Sequence, residues 1–327
     1  MSAETPPLVR VGARRRVSLR RLAAFAAGLW LAVGLIGVQQ YVRQYSLYRG
    51  FPAPVTPKGV PAGRVVKSFF YSPALHARRA FYVYLPPGYA RAAARHRHFG
   101  VLYLLHAPPG RPVGFFSAGA LAVDADMLVH QHRIRPLLIV VPDGKSGTFG
   151  NDTEWANARA GRYEDFVLDV VHAVDRRYAT FADRRHRVIG GLSAGGYGAV
   201  NIALHHLRDF VGMQSWSGYF TNSPRYSPVF AGASAAAVAY NSPEQLVPRL
   251  AREIRRLRLH AFLYSGLRDR EPGRRQLPGF AALLRRAGAS TGCAVYPGGH
   301  DWGIWRRQGR HMLELANAWF GSGRRAR

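Results

Sequence analysis

Near its middle, the 327-residue chain reads Gly190-Gly-Leu-Ser-Ala-Gly-Gly-Tyr-Gly198. Gly191, Ser193 and Gly195 fit the pattern G-x-S-x-G, in which a serine occupies a sharp, strained turn between a strand and a helix. Small residues two positions before and after the serine let the strand and the helix pass closely, so the hydroxyl projects from the turn. The stretch therefore predicts a nucleophilic serine at position 193.

The residues on both sides of this stretch supply the context that the pattern requires. Arg187-Val-Ile-Gly190 is a short apolar run that ends in glycine, typical of a buried strand. Residues 194–207 are rich in alanine and carry apolar residues at helical spacing, which predicts a helix. Five-residue matches also occur by chance, so a glycine-rich turn with an incidental serine is the alternative interpretation.

Strand-like and helix-like segments alternate through the rest of the chain from residue 64 onward. Strands are predicted at residues 65–71, 80–85, 99–106, 137–141, 210–216, 260–264 and 292–296. Helices are predicted near residues 119–130, 162–178, 243–258, 276–287 and 308–320, with a loop or weak helix over the site at 231–238. The first two strands read as an antiparallel pair, and the continuous apolar runs that follow are typical of strands buried on both faces. The alternation predicts an α/β fold, a mostly parallel sheet with helices on both faces.

The composition is strongly basic, with a net charge of +28 and 46 Lys and Arg residues, of which only three are lysines. Such a preference for arginine, with abundant alanine and glycine, indicates a GC-rich genome and accounts for part of the charge. No nucleic-acid-binding motif accompanies the arginines. A basic surface that faces anionic lipid or envelope polymer is therefore favoured over nucleic-acid binding.

The single cysteine, Cys293, lies in an apolar stretch and has no partner for an internal disulfide. It is predicted as a buried strand residue rather than a nucleophile. The sequence also shows no metal-ligand spacing, so neither a metal nor an organic cofactor is expected.

The N-terminal part of the chain is predicted to be a membrane segment. Residues 22–38 are apolar and uncharged, and as a helix they rise roughly 25 Å, close to the hydrocarbon core of about 30 Å. Six arginines precede them, which predicts a cytoplasmic N-terminus and an extracytoplasmic domain. A cleaved signal peptide, which would leave a secreted domain, is the alternative, but no A-x-A site follows the apolar run.

These features predict five regions along the chain. They are a basic cytoplasmic tail at residues 1–21, a transmembrane anchor at 22–42, a linker rich in proline and glycine at 43–63, a catalytic domain at 64–322 and a basic tail at 323–327.

A serine hydroxyl needs a base that takes its proton and a carboxylate that orients the base. In α/β hydrolases the acid follows the serine and the histidine comes last. Of the thirteen histidines, only His300 and His311 lie after residue 260. His300 directly follows a predicted strand in a glycine-rich turn, whereas His311 falls within the last predicted helix. His300 is therefore the predicted base.

The candidates for the acid are Asp269, Glu271 and Asp301. Asp269 lies in the loop after the predicted strand at residues 260–264, at the carboxyl edge of the sheet. Asp301 is adjacent to His300, and neighbouring side chains in a loop usually diverge. Asp269 is therefore favoured, with Glu271 as the second choice.

A series of further motifs extends over nearly the whole domain. They are Val83-Tyr-Leu-Pro-Pro-Gly-Tyr89, Val101-Leu-Tyr-Leu-Leu-His106, Val141-Pro-Asp-Gly144, Gly191-Leu-Ser-Ala-Gly-Gly196, Ser215-Trp-Ser-Gly218, Ser265-Gly-Leu-Arg-Asp269 and Pro297-Gly-Gly-His-Asp-Trp302. In this order they resemble the esterase D-like family of α/β hydrolases, which includes feruloyl esterases, S-formylglutathione hydrolases and mycolyltransferases. The resemblance implies the α/β-hydrolase fold and a triad of Ser193, Asp269 and His300.

One segment departs from the family pattern, in which His-Gly is followed by a residue whose amide joins the oxyanion hole. Here the chain reads His106-Ala-Pro-Pro-Gly110, and Pro108 at the donor position has no N–H. Ala194 is the predicted first donor, and the second donor either shifts to Ala107 or is missing. Loss of one such donor typically costs about 10²–10³ in rate.

The resemblance also implies which residues line the substrate cleft. Residues 151–157 occupy the region that family members use for this purpose, with Trp155 as an apolar wall and Asp152 and Glu154 as partners for hydroxyls. Trp216 and Tyr219 are predicted as further walls. The alternative interpretation of residues 151–157 is an ordinary polar loop.

The sequence as a whole predicts a membrane-anchored serine esterase that acts on an ester or acyl-lipid substrate through an acyl-enzyme. Two alternatives stay open. One is a mycolyltransferase-like acyltransferase to a cell-envelope glycolipid, and the other is a non-catalytic module that binds the envelope.

Overall fold

The computed structural model describes residues 19–145, 152–222, 227–269 and 272–322. The predicted tail at residues 323–327, most of the predicted cytoplasmic tail and the acid candidate Glu271 lie outside these ranges. The chain divides into two compact units, Met1–Ser46 and Leu47–Arg327.

The N-terminal part of the chain forms one long helix, α1 (Leu19–Tyr48). Its stretch Arg20–Tyr48 is long and apolar enough to cross a membrane. The helix ends where Arg49 and Gly50 adopt left-handed conformations, with φ of 53° and 83°. Residues 43–48 of the predicted linker are thus helical, and the irregular chain extends only from residue 49 to residue 63.

Within the described residues, eight strands of the second unit form one sheet. They are β1 (Arg64–Ser72), β2 (Ala77–Leu85), β3 (Gly100–Leu105), β4 (Leu137–Pro142), β7 (Arg187–Leu192), β8 (Gly212–Trp216), β9 (His260–Gly266) and β10 (Ser290–Tyr296), in the spatial order β1-β2-β4-β3-β7-β8-β9-β10. A separate small ribbon pairs β5 (Asn157–Ala158) with β6 (Gly161–Arg162). In the large sheet the β1–β2 and β2–β4 pairs are antiparallel and the other pairs are parallel. The prediction of a mostly parallel sheet is confirmed.

Helices cover both faces of this sheet. They are α2 (Tyr89–Ala94), α3 (Leu121–His130), α4 (Tyr163–Arg177), α5 (Ala194–His205), α6 (Ala235–Tyr240), α7 (Pro243–Leu257), α8 (Pro272–Arg286) and α9 (Trp302–Trp319), with single 3-10 turns at Pro112–Phe115, Arg184–His186 and Pro228–Phe230. One apolar cluster packs α4, α5, α7 and α8 against the sheet. A second cluster packs α3 and α9 against it. β3, β4 and β7 are buried along their whole length between these layers, which is why their sequences read as continuous apolar runs.

Two helices differ from the sequence prediction because of their caps. The last helix begins at Trp302 rather than near residue 308, since the Asp301 carboxylate accepts a hydrogen bond from the Gly303 amide at 2.7 Å. In the alanine-rich segment at 231–238, Ser234 caps α6, which begins one residue later. The short helix α2 was not predicted.

The topology carries the predicted triad to one edge of the sheet. β7, β9 and β10 run parallel, and their carboxyl ends lead into Ser193, Asp269 and His300, respectively. The carboxyl edge of a parallel sheet is where ligands bind in open α/β folds.

Candidate active site

Ser193 occupies the turn between β7 and α5 with φ of 54° and ψ of −122°. A non-glycine residue in this region of backbone space costs of order 1–3 kcal/mol. Hydrogen bonds on both sides hold the turn, because the Ser193 amide donates to the Trp216 carbonyl at 2.9 Å and the Ser193 carbonyl accepts from the Gly196 amide at 2.8 Å. The turn has the strained geometry that the motif predicts.

The flanking glycines are required by close backbone contacts. A Cβ on Gly195 would lie 2.5 Å from the Leu105 carbonyl carbon and closer still to its oxygen. A Cβ on Gly191 would lie 2.6 Å from the same carbonyl oxygen. The turn therefore sits directly against the end of β3, where no side chain larger than hydrogen fits.

The structure brings the three predicted triad residues together. His300 Nε2 lies 2.8 Å from Ser193 Oγ, and His300 Nδ1 lies 2.9 Å from Asp269 Oδ2. Asp269 is 2% exposed and also accepts a hydrogen bond from the Ser265 hydroxyl at 3.2 Å. The His300 side chain is 26% exposed, so the imidazole can reach both the serine and a reactant. This continuous chain of hydrogen bonds is the arrangement that general-base activation of a serine needs.

The rejected candidates are engaged elsewhere. The Asp301 side chain turns to the first turn of α9 and caps it. His311 lies inside α9 and packs edge-on against Phe262, with ring centroids 5.2 Å apart. Neither side chain joins the hydrogen-bonded chain at Ser193.

Ser193 and His300 open into a cavity of about 490 Å³. Trp302 and Trp305, which project from the first turn of α9, form much of its apolar lining. Trp305 also packs edge-on against the His300 ring, with centroids 5.2 Å apart at 83°. The cavity thus combines the hydrogen-bonded Ser193 and His300 with an apolar wall.

The two predicted oxyanion donors lie beside this cavity. Ala194 is the first residue of α5, so its amide has no acceptor within the helix. The amide lies at the N-terminal end of the helix, where the helix dipole is positive. Ala107 lines the cavity, and its carbonyl closes a turn by accepting the Gly110 amide at 2.7 Å. Neither amide donates to another backbone group among the described residues. The role of these two amides as oxyanion donors stays a prediction, and Pro108 contributes no N–H.

His106 is a cavity residue that the sequence analysis treated only as part of a motif. Burial lowers the pKa of His106 to about 4, although the Asp143 charge opposes the shift. The neutral ring accepts the Gly144 amide at Nε2, at 3.2 Å, which leaves the proton on Nδ1. Its carbonyl accepts the indole N–H of Trp155 at 2.8 Å. These bonds fix the backbone directly before Ala107.

Two residues predicted as walls of the cleft lie in the core instead. Trp155 is 2% exposed and Trp216 is 1% exposed, and within the described ranges neither lines the cavity. The indole of Trp155 fills the space left by Gly144 and Gly198, and Trp216 packs edge-on against Phe115. Both tryptophans are therefore enclosed, and neither presents a wall to the cavity in this geometry.

Asp152, Glu154 and Tyr219 form a polar cluster that contributes no lining to the cavity in the described part of the chain. The Tyr219 hydroxyl donates to the Glu154 carboxylate, and the Tyr219 ring stacks on Tyr197 with centroids 4.9 Å apart. Burial, and then the Asp152 charge, raise the pKa of Glu154 to about 7. The Glu154 carboxylate is therefore occupied within the protein, and its predicted binding of substrate hydroxyls stays a prediction.

Comparison with known proteins gives matches over most of the chain. A family model described as "Putative esterase" matches residues 72–313. An uncharacterized protein of Corynebacterium glutamicum is 28% identical over 70% of this chain and 54% of its own length. An endo-1,4-beta-xylanase/feruloyl esterase of Xylanibacter ruminicola is 27% identical over 42% of this chain and 19% of its own length. The chain thus spans about half, or less, of the curated relatives that it matches.

Solved structures share the fold. A ferulic acid esterase superposes with a TM-score of 0.70 at 24% identity, covering 80% of this chain and 99% of that one. An S-formylglutathione hydrolase from Staphylococcus aureus superposes with a TM-score of 0.63 at 18% identity, covering 78% of this chain and 98% of that one. The feruloyl esterase module from Clostridium thermocellum, complexed with sinapinate, superposes with a TM-score of 0.58 at 18% identity, covering 81% of this chain and 95% of that one. The family resemblance predicted from the motifs is confirmed.

Proposed function

The chain belongs to the putative esterase family, and on that premise we propose that it hydrolyses carboxylic esters with Ser193 as nucleophile, His300 as base and Asp269 as the orienting acid. The observation that carries the proposal is the hydrogen-bonded chain from Ser193 Oγ through the His300 ring to the buried Asp269 carboxylate. Feruloyl esterases and S-formylglutathione hydrolases among the structural neighbours support the same reaction class.

In the proposed reaction, each of these groups has a task in the first half. Ser193 Oγ attacks the ester carbonyl while its proton passes to His300 Nε2. The ionised Asp269 accepts the His300 Nδ1–H and stabilises the imidazolium that forms. The amides of Ala194 and Ala107 then bind the oxyanion, and the bond to the alcohol breaks as His300 returns the proton to the leaving oxygen.

The second half repeats these roles with water. His300 takes a proton from a water molecule, whose oxygen attacks the acyl carbon bound to Ser193. The tetrahedral intermediate collapses, the acid leaves, and the proton on His300 restores the Ser193 hydroxyl. No metal or organic cofactor enters these steps.

Hydrolysis of p-nitrophenyl esters of graded chain length by the full-length protein in nonionic detergent tests the proposal. Ser193→Ala and His300→Gln are each expected to lower kcat by at least about 10³. His311→Gln is the matched control, because this histidine packs against Phe262 away from the hydrogen-bonded chain. Equal activity of Ser193→Ala and the parent protein would refute the assignment.

The same assay separates the two alternatives. An acyltransferase would pass the acyl group to a hydroxylated acceptor faster than to water, so added acceptor would yield an acylated product at the expense of free acid. A non-catalytic module would release no nitrophenol above the rate of the Ser193→Ala variant.

We infer that α1 is an uncleaved membrane anchor that holds the esterase domain on the extracytoplasmic side. The length of α1 and the arginines before it support this orientation. Intact mass of the membrane-extracted protein and protease accessibility in intact cells test it. A mature N-terminus after residue 38 would instead indicate a cleaved signal sequence.

A further inference from the structure

The stretch that follows α1, here called the juxtamembrane segment (residues 47–56), contributes to the cavity that holds Ser193. Its Leu47 carbonyl accepts the Ser117 hydroxyl at 2.7 Å, which fixes its start to the esterase domain. The Arg306 guanidinium lies over the Phe51 ring, 5.1 Å from its centroid. Arg49 and Phe51 then line the cavity together with the catalytic serine. A stretch predicted as a mere linker is thus part of the candidate active site.

Two arginines face this cavity from different parts of the chain. Arg49 comes from the juxtamembrane segment and Arg111 from the loop after the Ala107 turn, and both are exposed. In the part of the chain that the structure describes, neither forms an ion pair. Asp301, the carboxylate in the lining, is engaged in capping α9. Among the described residues, the lining therefore carries two guanidinium groups and one carboxylate, and that carboxylate is hydrogen-bonded to the first turn of α9.

Along the sequence, Arg49 follows the predicted membrane span closely. The predicted span ends at Val42, and six residues separate it from Arg49. A lipid headgroup is therefore one source of an anionic group for this cavity, and a water-soluble anionic ester is the other.

We propose that Arg49 and Arg111 form a subsite for an anionic group, a carboxylate or phosphate, carried by the ester substrate. Guanidinium groups bind these anions through paired hydrogen bonds. The acyl chain then packs on Trp302 and Trp305, and the scissile carbonyl lies at Ser193. The subsite rests on the proposed esterase function, and the net charge of +28 raises the local concentration of such substrates.

A matched pair of soluble esters tests the subsite, using the full-length protein in nonionic detergent. The monoanionic 3-carboxy-4-nitrophenyl hexanoate, whose carboxylate lies on the alcohol side of the ester, is compared with the neutral 4-nitrophenyl hexanoate, after subtraction of uncatalysed hydrolysis. Arg49→Gln and Arg111→Gln are each expected to lower kcat/KM for the anionic ester by about tenfold, and for the neutral ester by less than about threefold. Arg91→Gln, an exposed arginine on α2, is the matched control and changes neither value.

The outcomes separate the subsite from the catalytic claim. If both esters are hydrolysed, depend on Ser193 and respond equally to the arginine variants, the subsite is wrong while the esterase function stands. If neither ester is hydrolysed above the Ser193→Ala rate, the esterase function itself fails. Melting temperatures of the variants close to that of the parent protein show that the substitutions act on the cavity and not on folding.

Vesicles distinguish the source of the anion. Fatty-acid release is measured from vesicles of phosphatidylglycerol and from vesicles of phosphatidylcholine. Release from phosphatidylglycerol alone, reduced in Arg49→Gln, supports the subsite with a lipid headgroup as its ligand. No release from either vesicle, while Arg49→Gln and Arg111→Gln still lower kcat/KM selectively for the soluble anionic ester, supports the subsite with a water-soluble anionic ester as its ligand.

Discussion

Gly195→Ala tests whether the backbone of the Ser193 turn packs directly against the end of β3. The added Cβ would lie 2.5 Å from the Leu105 carbonyl carbon and 2.9 Å from the His106 carbonyl oxygen. Ordinary contact begins at 3.4 Å, so the turn or the end of β3 must move by about 1 Å. Overpacking of this kind costs about 1–3 kcal/mol of unfolding free energy. Displacement of a nucleophile by 1 Å costs about 10² in rate.

Two assays measure these effects on the same preparation. Denaturant unfolding gives the change in unfolding free energy, and turnover of p-nitrophenyl butyrate gives the change in kcat. Gly279→Ala is the matched control, because Gly279 lies on the exposed face of α8 and a Cβ there meets nothing within 4 Å. The free energy of unfolding of this control is expected to rise by about 0.5–1 kcal/mol, since alanine favours the helix more than glycine does. A Gly195→Ala protein with the stability and kcat of the parent would refute the packing described for the turn.

Three further predictions follow from buried polar groups. Asp269→Asn leaves His300 without its ionised partner and is expected to lower kcat by about 10³–10⁴. Circular dichroism should show that the variant is still folded, and a loss of kcat below tenfold would remove Asp269 from the triad. Because burial raises the pKa of Glu154 from 4.5 to about 7, the folded state binds that proton more tightly than the unfolded state. The contribution of Glu154 to stability should thus be complete below pH 4.5 and fall by up to about 3 kcal/mol as the pH rises from 4.5 to about 7, and Glu154→Gln should flatten this slope in denaturant melts. Asp126 Oδ1 accepts hydrogen bonds from the Tyr84 hydroxyl at 2.6 Å and from the Gly63 amide at 2.9 Å. Asp126→Ala leaves both donors without this acceptor and is expected to lower the free energy of unfolding by about 2–4 kcal/mol. A loss under 1 kcal/mol would contradict this role.

The sequence predicts the sheet, and the meeting of Ser193, Asp269 and His300 at its edge, because both depend on local patterns. Strands buried between two helical layers must be apolar throughout, and β3, β4 and β7 show this directly. The motif at Ser193 needs glycines where two backbones touch. His300 and Asp269 follow late strands, and the parallel arrangement brings the ends of those strands together.

The walls of the cavity are harder to predict because they depend on tertiary contacts. Nothing in the local pattern distinguishes an enclosed tryptophan such as Trp155 from one that faces a substrate. The early start of α9 could have been predicted from the sequence, since Asp301 is a good N-cap residue before an apolar helical stretch. The position of Arg49 and Phe51 at the cavity could not have been predicted, because an irregular segment has no periodicity that indicates which residues it packs against.

Covalent labelling of the folded protein by a fluorophosphonate measures whether Ser193 is the activated nucleophile. One adduct per chain is expected, mapped to Ser193 by peptide mass spectrometry. Labelling should be absent in Ser193→Ala, slowed by at least about 10² in His300→Gln and unchanged in His311→Gln. A folded protein that takes no label, or one labelled equally well after Ser193→Ala, would show that Ser193 is not the nucleophile.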